Sequence, residues 1–176
     1  MGKRPLVRRR GRGGMQFRAA KTGKIAPAKY PNFDPKESHI VEIVDLVHET
    51  GRDVPLAKIR LDNGSNSFLP AVIGSKVGSK IQFGYESGIV DGNVNSVQNI
   101  PDGTTVCNVE KQVGDGGSFI KSAGTSATIF SHGDDGVTLK LASGKFITLN
   151  KKNRAMIGTL AGGGVLDLPL MRAAVN

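Results

Sequence analysis

The sequence predicts an all-β fold in which a basic, extended N-terminal arm precedes two small barrels. Two observations carry this expectation. The first 33 residues hold ten Lys or Arg and no acidic residue, so repulsion and scarce apolar surface keep them from folding on themselves. From His39 onward, short Val- and Ile-rich segments alternate with turns, and 24 of the 176 residues are glycine. That pattern suits strands joined by tight turns better than long helices.

Taken in order, residues 1–36 form the arm, with Pro27, Pro31 and Pro35 punctuating its end and Tyr30 and Phe33 available to pin it to a domain or to a base. His39–His48 fits a helix or a strand by periodicity alone. Its downstream neighbours favour a strand: a turn over Gly51–Pro55, an alternating Leu56–Leu61, the hairpin turn Asp62-Asn63-Gly64, and a return strand Ser65–Val72 whose Pro70 belongs at an edge or bulge. Lys80–Tyr85 is the next strand, Asn99–Gly103 a turn, and Thr104–Lys111 a further strand. Gly114–Gly117 reads as the crossover into a second unit, which places the first barrel in residues 37–113 and the second in residues 114–176. In the latter, Ser126–Ser131, Gly136–Ala142 and Lys145–Asn150 are strands separated by the turns Gly133–Gly136 and Ser143-Gly144. Val137, Leu139 and Leu141 share one face, and Thr138, Lys140 and Ala142 the other.

Charge is segregated. The formal net charge is +9, yet the 143 residues after Phe33 carry 14 basic and 15 acidic side chains. All the excess lies in Lys3, Arg4, Arg8, Arg9, Arg10, Arg12, Arg18, Lys21, Lys24 and Lys29. A second cationic stretch, residues 136–166, holds Lys140, Lys145, Lys151, Lys152 and Arg154 without an acid. Two separated basic regions point to one shared polyanion, most commonly nucleic acid. Arginine suits that partner because its planar fork donates bidentately to phosphate oxygens, and interspersed glycines keep the backbone thin.

Other classes are disfavoured. A lone cysteine, Cys107, offers neither a disulfide framework nor a cysteine metal cluster, and its strand position suggests a buried, inert thiol. No apolar stretch reaches the length of a membrane span. Asp134-Asp135 beside His132 reads as a turn rather than a metal site, and so fails to support a metal-dependent hydrolase. Gly74–Lys80 lacks phosphate-loop spacing. No catalytic residue, metal, cofactor or small-molecule substrate is expected. Phe68, Phe83 and Tyr85 are expected in the core, with base stacking the minority reading.

Several passages together resemble one family: MGKR…RRRGRG with KYP near residue 30, RDVPLAKIRLDNG, QNIPDGTTVCNVE, GDGGSFIKSAGTSATIFSH, VTLKLASGK and NRAMIGTLAGGG. The chain resembles the universal ribosomal protein L-two family of the large ribosomal subunit, in its archaeal form, in order over residues 1–164. The resemblance implies an oligonucleotide-binding (OB) barrel followed by an SH3-like barrel. It also implies tails threaded into large-subunit rRNA and other large-subunit proteins as partners, on the cytoplasmic ribosome. The implied role is structural, supporting subunit assembly and the peptidyl-transferase region. The family's basic positions fall on Lys121, just before Ser122-Ala123-Gly124, on Lys140 before the SG turn, and on Arg154. Two departures stand out. Ser65-Asn66-Ser67 replaces the basic residues that bacterial relatives carry there, and Val165–Asn176 does not resemble the basic, histidine-glycine-rich extension of relatives, so no histidine here inherits its role. A free-standing RNA-binding factor with the same barrels is the alternative.

Overall fold

The structure, a computed structural model, describes residues 2, 3, 5, 12–18, 22–33, 37–84 and 87–169. Within them two-residue alternation organises the strands. In β1 (His39–Val47), Val41 and Ile43 are buried while Ile40, Glu42 and Asp45 are exposed. β1 pairs antiparallel with β2 (Leu56–Arg60) and with β4 (Lys80–Phe83), and β2 pairs with β3 (Asn66–Pro70). The β2–β3 hairpin turns where expected: the Gly64 N–H donates to the Leu61 carbonyl at 2.9 Å and the Ser65 N–H to Asn63 Oδ1 at 3.0 Å. Pro70 ends β3 at the edge of the sheet order, where a missing N–H costs no ladder bond.

The remaining strands are β5 (Val94–Ser96), β6 (Thr105–Cys107), β7 (Ala127–His132), β8 (Val137–Leu141), β9 (Phe146–Leu149) and β10 (Arg154–Ile157). All ten form one sheet in the order β3-β2-β1-β4-β5-β10-β6-β7-β8-β9, and only β4 and β5 run parallel. Three short 3-10 turns complete the regular structure, so the fold is almost entirely β among the described residues. A bridge from Val72 to Leu160 then brings the chain beyond β10 back to the segment that follows β3. The sheet thereby curls into a ring around its first core. Gly158 permits the closure: it has φ +107°, and a Cβ there would stand 2.6 Å from Val72 Cγ1.

Two cores result, and they share a wall. Val41, Ile59, Leu69, Phe83, Val94 and Leu160 belong to the first; Val97, Ile100, Val109, Ile129, Leu139 and Leu149 belong to the second. On β10, Met156 packs into the first core, whereas Ala155 and Ile157 pack into the second. On β6, Cys107 and Val106 divide in the same way. Alternating side chains thus serve opposite faces of one strand.

This packing differs from the sequence-based expectation in two respects. A division near Gly114 does not separate the cores, because Val97, Ile100, Val106 and Val109 precede it and yet build the second core, while Met156 and Leu160 lie beyond it and build the first. The strand over 104–111 is also shorter: Asn108, at φ +45°, ends the extended run after Cys107. β5 and β10 carry no sequence signal of their own, since three- and four-residue strands buried on both faces have no alternation to read.

Candidate nucleic-acid interface

The arm is in part docked. The Thr50 N–H donates to the Gly23 carbonyl and the Ile25 N–H to Glu49 Oε1, at 3.4 and 3.1 Å. Farther on, the Lys29 N–H meets the Phe68 carbonyl at 3.2 Å and the Tyr30 N–H meets the Gly116 carbonyl at 2.9 Å. Tyr30 is buried, its hydroxyl donating to the Asn108 carbonyl and its ring edge-on to Phe83. Phe33 stacks on His39 at 4.1 Å between centroids and meets Phe83 edge-on. Of the two uses open to Tyr30 and Phe33, the structure shows the pin to a domain. Glu49 anchors the start of this docked stretch. Its own burial would raise its pKa, but the Arg52 guanidinium and the Ile25 N–H outweigh this and hold the carboxyl below its ordinary range.

Lys121 and Arg154 face this docked segment. Lys121 Nζ donates to the Ala28 carbonyl at 2.6 Å and to the Gly117 carbonyl at 2.9 Å. Burial, with repulsion from Arg52 and Lys29, pushes its pKa down, and Asp115 opposes the shift. Arg154 is 14% exposed at its side chain. Its Nε and Nη2 donate to Glu110 Oε1 at 3.0 and 2.7 Å, and Nη1 donates to the Pro31 carbonyl at 3.0 Å. The guanidinium carbon lies 5.3 Å from the Tyr30 ring centre. Glu110 is 0% exposed and accepts two further N–H groups, from Arg154 and Gly116, at 2.9 and 3.1 Å. A carboxylate taken fully out of water requires such a set of partners.

The cationic side chains therefore fall into two groups. Lys3, Arg12, Arg18, Lys24 and Lys29 are exposed on the arm, and Lys140, Lys145 and Lys152 are exposed on the second unit, with Lys151 half-buried. Arg4, Arg8, Arg9, Arg10 and Lys21 lie outside the described residues. Lys121 and Arg154, expected as RNA contacts, are half-buried and each direct several donors to acceptors within the protein. Sequence reasoning passed over Glu110 and Glu49. The signal for Glu110 was present: an acid at the end of the apolar run TVCNVE demands a buried counter-charge.

The motif glycines also find physical roles. Gly124 of the SAG element has φ +67°, and a Cβ on it would stand 2.5 Å from the Gly163 Cα of the AGGG element. These two distant motifs touch backbone to backbone. Beside them a groove of about 430 Å³ is lined by Ile120, Lys121, Ser122, Thr125 and Ser143. His132 pairs with Asp102 at 2.7 Å, and Gly133 closes on Gly136 across the Asp134-Asp135 turn. His132 thus serves a hydrogen bond to Asp102, and Asp134 and Asp135 a turn. Cys107 is buried, and burial, then the nearby Asp91, pushes its thiol up to about 12.

An all-β body with a partly docked cationic arm and exposed Lys140, Lys145 and Lys152 on its second unit has the make-up of a polyanion-binding protein. The pattern of the family described as "Ribosomal Proteins L2, C-terminal domain" matches residues 90–176. The chain is 69% identical over 173 residues to the large ribosomal subunit protein uL2 of Cenarchaeum symbiosum (strain A), covering 98% of this chain and 71% of that protein. It is 67% identical over 174 residues to uL2 of Nitrosopumilus maritimus (strain SCM1), covering 98% and 71%. With uL2 of Sulfurisphaera tokodaii the identity is 43% over 176 residues, covering 100% and 73%. The chain belongs to the uL2 family of large-ribosomal-subunit proteins, of archaeal type.

Proposed function

We propose that this chain is a structural constituent of the large ribosomal subunit that binds large-subunit rRNA and supports subunit assembly on the cytoplasmic ribosome, without catalysis of its own. The observation that carries the reading is the 69% identity to a uL2 protein along 98% of the chain. The ring around the first core is the OB-type barrel and the unit built on β7–β9 the SH3-like one. The RNA-binding set is the ten arm cations with Lys140, Lys145, Lys151 and Lys152. Phosphate contacts from these side chains supply affinity. Lys121 and Arg154 act one step back, holding residues 28–31 so that the arm leaves the body from a fixed point.

Co-sedimentation tests this. Expressed in an archaeal host and washed at high salt, the chain is expected to remain with large subunits. Release into the soluble fraction, with RNA binding retained, would instead mark a free-standing RNA-binding factor.

A further inference from the structure

The outer face of the β7–β8–β9 sheet carries two phenylalanines that the core does not use. Phe130 is 57% exposed and Phe146 54% exposed, and their rings meet edge-on with centroids 4.9 Å apart. They reach each other across β8, because Phe130 is on β7 and Phe146 on β9. The register of β7 against β8 shifts between Ile129 and Ser131, so Phe130 is the extra residue of a bulge. Bulges re-aim a side chain that regular pairing would constrain. Exposed aromatics held together on a rigid sheet mark an interaction surface.

The surroundings select the partner. Lys140 is exposed and lies directly across from Phe146 in the β8–β9 register, with Thr128 opposite it on β7. Lys145, exposed, immediately precedes Phe146 in the turn that joins β8 to β9. Asp134 and Asp135 sit at the opposite end of β8, in its other turn. An apolar π-face beside cations, at the acid-free end of a sheet, matches a base on its phosphate backbone.

We propose that Phe130 and Phe146, with Lys140 and Lys145, form a stacking platform for an unpaired RNA base. The proposal rests on the RNA-binding reading above and adds a base-recognising subsite to it. The test uses the full chain and two probes, a short oligouridylate and its abasic counterpart of equal length and charge. Wild-type protein is expected to prefer the base-bearing probe by roughly 5- to 150-fold. The double variant Phe130→Leu/Phe146→Leu keeps apolar bulk but loses the π-faces. It should bind both probes at the abasic level, while Phe130→Tyr/Phe146→Tyr restores the preference. Equal binding of the two probes by wild type, or a preference unchanged in the leucine variant, would overturn the platform while leaving the RNA reading standing. Failure of wild type to bind either probe would overturn the RNA reading itself. Unchanged probe binding with poorer retention of the leucine variant on large subunits would assign the patch to a protein neighbour and also reject the platform.

Discussion

Arg154 Nη2 stands 2.7 Å from Glu110 Oε1, and the same guanidinium reaches back 123 residues to the Pro31 carbonyl. One side chain thus neutralises a buried acid and grips the root of the arm. Replacing it removes both contacts. Arg154→Met, which leaves the Glu110 carboxylate uncompensated, is expected to cost about 3–5 kcal/mol in urea unfolding. Arg154→Met/Glu110→Gln should cost less than the sum of the two single changes, the signature of a coupled pair.

Lys140 supplies the contrast. Exposed on β8, Lys140→Glu should leave the unfolding midpoint in place. It should lower RNA affinity and reduce the slope of log K against log salt by about 1. Lys121→Glu is expected to do the reverse, lowering stability first, because its Nζ bonds to the Ala28 and Gly117 carbonyls have no substitute.

Deletion of the arm divides at the docking point. Residues 1–22 contain eight cations and precede the first described backbone bond to the body, at Gly23. Removing them should flatten the salt slope by about 6–7. Removing residues 1–33 also strips out Tyr30 and Phe33, and is expected to lower the melting temperature as well.

Alkaline pH should loosen the protein. The Cys107 thiol is raised to about 12 by burial and then by Asp91, and burial likewise drives the Tyr30 hydroxyl well above its ordinary value. An unfolded thiol ionises near ~8.5 and an unfolded tyrosine near ~10. Their contributions are therefore complete below those values and are lost as pH rises toward the folded ones. Lys121, shifted down, works in the opposite sense over its own range. Cys107→Ala should flatten the loss of stability that begins above about pH 8.5. At pH 8 the native thiol should resist an alkylating reagent that labels the urea-unfolded chain at once.

Gly124→Ala tests the junction of the two motifs. With φ +67° and Gly163 Cα 2.5 Å from the added carbon, it should cost about 2–3 kcal/mol by chemical denaturation.

Where a strand keeps one face toward solvent, its place in the fold is legible in the sequence. Val137, Leu139 and Leu141 against Thr138, Lys140 and Ala142 is such a case, and the exposure of each face matches that alternation. Asn63-Gly64 likewise marks its hairpin by turn chemistry alone. β10 escapes because it is walled by a core on each side, so Met156 and Ile157 read as a short apolar run without period, and β5 is only three buried residues of which Val94 alone joins a core. At the interface, charge counting finds the cations but not their orientation. Lys121 and Lys140 look alike in sequence, and only the Ala28 and Gly117 carbonyls, the first 93 residues away in the chain and near in space, separate them.

The grip of Lys121 and Arg154 on Ala28 and Pro31 sets an order of events during synthesis. Residues 28–31 leave the exit tunnel early, yet the two side chains that seat them come 93 and 123 residues later. β10, which closes the first ring, is also the last strand made among the described residues. Residues 28–31 thus wait for Arg154 to emerge before both of their side-chain clamps can form. A newborn chain is a cationic thread first and an oriented one last.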